Sequence, residues 1–225
     1  MPDVTQPAFE ILYRDDDLVI VNKPSGLLVH RGWANDEVVM MTVVRDALGM
    51  YVHPIHRLDR GASGALVFGL SSEAARALCA AFEHGQVEKR YVALVRGIPP
   101  EQGVIDHPIP RAPGSERVPA VTEYRRLRVF GRYALVEAVP RTGRLHQIRR
   151  HRKHISCPLI GDVNYGKGEH NRLFRERYDL HRLALHATSL TVPHPADGRS
   201  IQASAPMPAD LAGALAQLAA ETEAR

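Results

Sequence analysis

An aspartate sits between two arginines in His56-Arg57-Leu58-Asp59-Arg60-Gly61-Ala62-Ser63-Gly64. Opposite charge nearby keeps a carboxylate ionised and lowers its pKa by about 1–3 units. Held that way at a Gly-Ala-Ser-Gly turn, Asp59 could serve as a nucleophile or a base. The same pattern describes a structural salt bridge at a turn, and the segment alone leaves both readings open. Ser63 is the weaker nucleophile, since Gly61-Ala62-Ser63-Gly64-Ala65 misses the G-x-S-x-G elbow at its last position. A second segment, Arg141 to His154, holds Arg141, Arg144, Arg149, Arg150, Arg152 and Lys153 with three histidines and no acidic residue. A helix from Leu145 to Ile155 places His146, Arg149, Arg150 and Lys153 on one face, opened by Gly143 with its unpaired N–H groups. Such a face can hold phosphate and reach a carboxylate. A solvated charge run is the blander alternative. His151 and His154 have metal-like spacing, but two cations between them and no nearby carboxylate favour RNA contact or exposure. In the third segment, Lys89-Arg90-Tyr91, a tyrosine opens an apolar run beside two cations. It reads as a core tyrosine or, in a nucleic-acid protein, as a stacking platform.

The composition limits what these groups could be doing. The 225 residues are 44% hydrophobic and 24% charged, which excludes wholesale disorder and collagen-like or coiled-coil architecture. No apolar run approaches the ~18 residues needed to span a membrane. Met1 to Ala8 carries no secretory signal pattern, and Cys79 and Cys157 are too far apart to suggest a thiolate zinc site or a disulfide framework. A soluble, cytoplasmic protein is expected. There is no P-loop, and no G-x-G-x-x-G follows a strand-like run, so nucleotide cofactors lack support. The formal net charge is +4, and only four of the 29 basic residues are lysines. The concentration of arginine in one stretch points to a polyanionic partner.

Several elements must position these segments. Phe9 to Tyr13 and Leu18 to Val21 read as a hairpin across Asp15-Asp16-Asp17, broken after the second strand by Asn22-Lys23-Pro24-Ser25-Gly26. Val38 to Leu48 reads as a helix stopped by Gly49, and Ala65 to Leu70 as a strand. Ser72 then caps a helix carrying Leu78, Ala81 and Phe82 on one face. Tyr91 to Val95 is a strand, and Pro108 to Pro119 an exposed connection. Val121 to Val129 pairs with Tyr133 to Val139 around Gly131, and Leu183 to Val192 with Ser200 to Ala203. A terminal helix follows Pro208, with Leu211, Leu215 and Leu218 at helical spacing. The expected class is α+β: one domain over residues 1–225, mainly an antiparallel mixed sheet with peripheral helices.

Taken together, His56-Arg57-Leu58-Asp59, Lys89-Arg90-Tyr91 and Thr142-Gly143-Arg144-Leu145-His146-Gln147-Ile148-Arg149 resemble the signature motifs of the RluA-type pseudouridine synthases. Val21-Asn22-Lys23-Pro24-Ser25-Gly26 is similar to that family's N-terminal motif, and Pro158-Leu159-Ile160-Gly161-Asp162 to its post-helix loop. The likeness runs in order from about Phe9 to Ala205. Leu28 to Met40, including His30 and Trp33, and Asn171 to Ala187 further resemble a branch that modifies a uridine in the acceptor-stem and T-arm region of tRNA.

The resemblance implies the pseudouridine synthase fold and an isomerase that needs no cofactor and no metal, because no atom is gained or lost. It implies Asp59 as the nucleophile on ribose C1′ or base C6, or as a proton acceptor in a glycal route. Arg149 would pair with Asp59, and Tyr91 and Ile148 would hold the uracil, with Tyr91 also helping to remove the C5 proton. A uridine inside a stem must leave the stack at a cost of a few kcal/mol. The resemblance assigns Arg57 to the vacated space, a task suited to a planar guanidinium. Substrate contacts are expected from His56, Arg144, Arg150 and Lys153 besides Arg57 and Ile148. The sequence departs from the family's pattern at Gly61-Ala62, where a threonine commonly precedes Ser-Gly. With the first strand-like run at Phe9, an S4-type RNA-binding domain is not expected. The expected partner is tRNA, or alternatively ribosomal RNA, with no membrane and no obligatory protein partner, the chain acting as a monomer. A non-catalytic RNA-binding module is the competing class.

Overall fold

The computed structural model describes residues 9–31, 38–112 and 114–224. In chain order the elements are β1 (Glu10–Arg14), β2 (Leu18–Lys23), α1 (Met40–Leu48), β3 (His53–Pro54), β4 (Ser63–Gly69) and α2 (Ser72–Glu83). Next come β5 (Glu88–Arg96), β6 (Gln102–Asp106), β7 (Ile109–Pro110), β8 (Arg117–Val118), β9 (Val121–Phe130) and β10 (Tyr133–Pro140). The chain closes with α3 (Gln147–His154), α4 (Gly168–Tyr178), β11 (Leu185–Pro193), β12 (Ser200–Ser204) and α5 (Ala209–Glu223). This is the expected α+β class, built on antiparallel strand pairs. The chain gathers into two compact units, Met1–Val87 with Ser189–Ala205, and Glu88–Thr188 with Pro206–Arg225.

In the first unit β1 pairs with β2 and β2 with β4, in the register Lys23↔Gly64 to Leu18↔Gly69. β3 lies on β4, and β12 pairs with the second half of β11. Leu18, Ile20, Ala65, Val67, Leu78, Leu190, Val192 and Ile201 form the core. Alternating side chains of the strands supply it, closed by one face of α2. The N-cap of α2 is Ser71, one residue before the expected Ser72, and its hydroxyl accepts from the Ala74 N–H at 3.0 Å. Gly49, at φ 66°, ends α1 in the left-handed conformation that glycine adopts without strain.

In the second unit the strand order β5-β10-β9-β6 follows from two hairpin steps, the tighter one turning at Gly131. Leu94, Phe130, Tyr133, Ile160, Phe174, Tyr178, Leu211, Leu215 and Leu218 make its core. Within the stretch expected as an exposed connection, residues 109–110 and 117–118 form structure. β7 and β8 pair as a short ribbon, and Ile109 and Val118 are buried. The helix expected from Leu145 begins at Gln147 instead, because His146 takes a left-handed conformation at φ 54°. Gly143 therefore lies in the preceding loop and does not open the helix. β6 and α4 are elements that the sequence reading did not anticipate.

Candidate active site

In the first unit Asp59 begins a turn closed by the Ala62 N–H donating to the Asp59 carbonyl at 3.0 Å. The next strand starts at once with Ser63 and Gly64, whose φ of 111° suits glycine. The segment after β2 clamps this turn. Lys23 is fully buried, and its ammonium donates to the carbonyls of Pro24 (2.8 Å), Leu27 (2.7 Å) and Arg60 (3.4 Å). The Gly26 N–H donates to the Arg60 carbonyl at 2.8 Å, and the Ser25 hydroxyl to the Gly61 carbonyl at 2.8 Å. A buried ammonium requires such partners, and here they fix the backbone on the C-terminal side of Asp59. His56 acts inward: its Nε2 accepts from the Val67 N–H at 3.2 Å, and its ring stacks on Phe82 at 4.7 Å. Arg57 is exposed, whereas Leu58 between it and Asp59 is buried. Trp33 lies outside the described residues.

In the second unit Tyr91 is buried on β5 opposite Ala138 of β10. Lys89, two residues earlier, shares its strand face. Burial lowers the Lys89 pKa, and a Cβ added at Gly143 would lie 3.9 Å from its ammonium. The loop from Thr142 to Arg144 is tied to α3 by Gln147. The Gln147 Oε1 accepts from the Thr142 hydroxyl (2.6 Å) and the Arg144 N–H (3.0 Å). Its amide donates to the Val121 carbonyl and the Thr122 hydroxyl, each at 2.9 Å. His151 lies one turn on. Its Nε2 must carry the proton, because it reaches the His107 carbonyl at 2.9 Å. Burial lowers its pKa, and the neutral Nδ1 accepts from Thr122 at 2.9 Å.

The expected face of α3 exists, and a tyrosine outside the quoted motifs organises it. Tyr165 receives the Arg150 Nε at 2.9 Å on its hydroxyl, which lies 3.1 Å from the His146 Nδ1. Its ring centroid is 5.1 Å from the Arg149 guanidinium, 5.8 Å from that of Arg150 and 5.8 Å from the Lys153 ammonium. Arg149 is buried and makes a bidentate pair with Asp162, Nε to Oδ2 at 2.7 Å and Nη2 to Oδ1 at 2.8 Å. Ile148 beside it is also buried. Arg150 donates through Nη1 to the Pro110 carbonyl at 2.8 Å, and Arg144 through Nε to that of Pro119 at 3.2 Å. Arg150 thereby ties Pro110 to α3, and Arg144 ties Pro119 to its approach loop.

Asp59, Arg57 and His56 thus belong to the first unit; Tyr91, Arg144, Ile148, Arg149, Arg150 and Lys153 belong to the second. Asp162 and Tyr165 carry no expected role from the motif segments. The signal for them is a glycine-bracketed loop, Gly161-Asp162-Val163-Asn164-Tyr165-Gly166, directly after the basic helix. His186 is fully buried, whereas His181 is exposed and faces Asp179 at 2.9 Å.

Residues 17–154 match the family described as RNA pseudouridylate synthase. The chain is 42% identical to a tRNA pseudouridine synthase C of Pectobacterium carotovorum over 92% of its own length and 61% of that protein's. It therefore spans less than two thirds of that relative. Two Vibrio proteins of the same name, from V. parahaemolyticus and V. cholerae, are 42% and 44% identical. Each match covers 83% of this chain, and 85% and 86% of the respective relative. Among solved structures, human RNA Pseudouridylate Synthase Domain Containing 4 superposes with a TM-score of 0.76 at 28% identity, over 93% of both chains. Human RNA Pseudouridylate Synthase Domain Containing 1 gives 0.78 at 25%, over 100% of this chain and 98% of its own. With His56–Asp59, Lys89–Tyr91 and Thr142–Arg149 inside residues 17–154, the chain belongs to the RNA pseudouridylate synthase family.

Proposed function

We propose that this protein isomerises uridine to pseudouridine in tRNA, at a site in the acceptor-stem and T-arm region. The observation that carries the reading is the 42–44% identity to proteins named tRNA pseudouridine synthase C, in a chain that carries Asp59, Tyr91 and Arg149 in the motif-like segments. The reaction breaks the bond from N1 to C1′, turns the base, and joins C5 to C1′. The C5 proton leaves to water and N1 gains a proton, so atoms and electrons balance without a co-reactant.

Asp59 supplies the carboxylate that attacks the nucleotide or accepts its proton, on a turn whose backbone Lys23 and Ser25 fix. Tyr91 and Ile148 hold the uracil, and Tyr91 assists removal of the C5 proton. Arg149 pairs with the reacting carboxylate. Arg57, exposed and ahead of Asp59, fills the space left by the extruded base. Arg144, Arg150 and Lys153 take phosphates, and His56 supports the turn from the β4 side. The two units serve as one catalytic domain, acting as a monomer in the cytoplasm. Among the described residues, no helix is long and apolar enough to cross a membrane.

Tritium release from tRNA transcribed with uridine labelled at C5 tests this reading, because forming the new C–C bond expels that hydrogen. Release stoichiometric with tRNA is expected from the wild type, and none from Asp59→Ala. Release from ribosomal RNA alone would move the substrate, and RNA binding without release from either would leave a binding module.

A further inference from the structure

We propose that Asp162 is a positioning residue of the reaction: its carboxylate grips the Nε–Nη2 edge of Arg149 and sets the plane in which that guanidinium is presented to the reacting carboxylate. The proposal rests on the function given above. The two salt-bridging side chains are nearly excluded from solvent, at 8% exposure for Arg149 and 0% for Asp162. The pair is the fork-to-fork geometry that fixes direction as well as charge. Asp162 engages Nε and Nη2, so Nη1 is the guanidinium nitrogen that it does not hold.

The carboxylate is itself held from every side. Its Oδ1 also accepts the N–H groups of Asn164 and Tyr165, each at 3.0 Å. Burial alone would push the Asp162 pKa up, but Arg149 and these N–H groups pull it below the usual carboxylate range. Its backbone carbonyl accepts from the Gly166 N–H at 3.0 Å and the Asn171 amide at 2.9 Å, and the Asn171 Oδ1 accepts from the Gly161 N–H at 2.8 Å. Glycine is required at both ends of the loop. A Cβ at Gly161, whose φ is 75°, would lie 1.9 Å from the Arg182 carbonyl oxygen, and one at Gly166 would lie 2.4 Å from that of Asp162. Such close bracing gives Arg149 a fixed reference, where a long side chain on a helix would otherwise sample several rotamers.

Asp162→Asn separates loop closure from this grip. An asparagine Oδ1 still accepts from Asn164, Tyr165 and the Arg149 Nη2, but its amide nitrogen then faces the Arg149 Nε–H, donor against donor. Under steady-state tritium release from tRNA, with folding followed by circular dichroism, kcat is expected to fall about 10–100-fold while KM moves less than about threefold. In an Arg149→Ala background the same change is expected to reduce kcat no further, because Asp162 acts through Arg149. If Asp162→Asn does not fold, Arg149→Ala alone decides: millimolar methylguanidinium is expected to restore turnover, and methylammonium of equal charge is not. A folded Asp162→Asn with wild-type kcat overturns the proposal. So do equal losses in both backgrounds, and a rescue that fails or does not distinguish the two cations. Absence of turnover by the wild type overturns the functional reading itself, which makes the two failures distinguishable.

Discussion

Arg152 is the side chain of α3 whose charge is hardest to account for. It is fully buried, its guanidinium lies 4.6 Å from the Tyr124 ring centroid, and none of its three nitrogens has a hydrogen-bond partner among the described residues. Burial lowers its pKa, with Cys157 and Tyr124 opposing that shift. A cation over an aromatic ring gains about 0.5–2 kcal/mol, whereas removing a charge from water costs several kcal/mol after relaxation. Desolvation therefore outweighs the ring contact. Arg152→Met is expected to fill the same space without the charge and to stabilise the fold by roughly 1–3 kcal/mol. Urea denaturation at neutral pH checks this, and a loss of stability would show that the buried cation has a role that the ring contact does not describe. Arg149 and Arg152 are three residues apart and identical in type, yet one meets a carboxylate 13 residues further along and the other an aromatic ring. Here lies the boundary of what the sequence discloses about the site. The motif residues could be named from their own segments, but Asp162 and Tyr165 act through folding that no helical spacing encodes.

At the scale of elements, legibility followed the strength of the local signal. The β9–β10 hairpin was readable because alternating apolar residues flank Gly131, and α5 because Leu211, Leu215 and Leu218 recur at helical spacing and are buried. α4 was not readable. Lys167 supplies no side-chain cap, and Glu169, Arg172, Arg175, Glu176 and Arg177 obscure a short apolar face made by Phe174 and Tyr178. The ribbon β7–β8 is too short for alternation to show, and its Pro/Gly/Arg composition reads as loop. The turn between β1 and β2 is legible in the sequence as a turn, but its tie to the β11–β12 turn is not. The Asp15 carboxylate accepts the Tyr13 hydroxyl at 2.6 Å and the N–H groups of Asp17 and Leu18 at 3.0 Å. It also lies 2.9 Å from the His194 Nε2. Burial raises the Asp15 pKa, but these hydrogen bonds outweigh it and bring it from 3.8 to about 2. The folded state then binds fewer protons than the unfolded state between those values, so stability rises with pH across that window. The contribution is complete above about pH 4 to 5 and is lost as the pH falls toward 2. Asp15→Asn is expected to remove roughly 1–2 kcal/mol at pH 7, allowing for solvent screening, and to converge with the wild type near pH 2. Denaturation curves at pH 7, 4 and 2.5 check the sign. A difference that grows toward low pH would contradict it.

Across the whole molecule, the basic stretch from Arg141 to His154 carries less available charge than its six Lys and Arg residues imply. Arg141 is paired with Glu123 through two contacts of 2.8 and 2.7 Å, Arg149 with Asp162, and Arg152 is buried. That leaves Arg144, Arg150 and Lys153 as the members that are not fully buried and have no carboxylate partner among the described residues. Each phosphate neutralised by a protein cation releases condensed counterions, and the logarithm of affinity falls with the logarithm of salt by about 0.7–0.9 per contact. Six contacts would contribute a slope of about 4 to 5, whereas three contribute about 2 to 3. Replacing Arg144, Arg150 and Lys153 together by alanine is therefore expected to lower the salt slope of tRNA binding by about 2 to 3. Arg141→Ala is expected to leave the slope nearly unchanged, since its charge is already balanced by Glu123. Equilibrium binding from about 50 to 300 mM salt measures both variants against the wild type. A slope lowered as much by Arg141→Ala as by any one of the three would mean that the Glu123 pair opens on the RNA. In that case the sequence count, and not the folded pairing, would govern how strongly this face attracts phosphate.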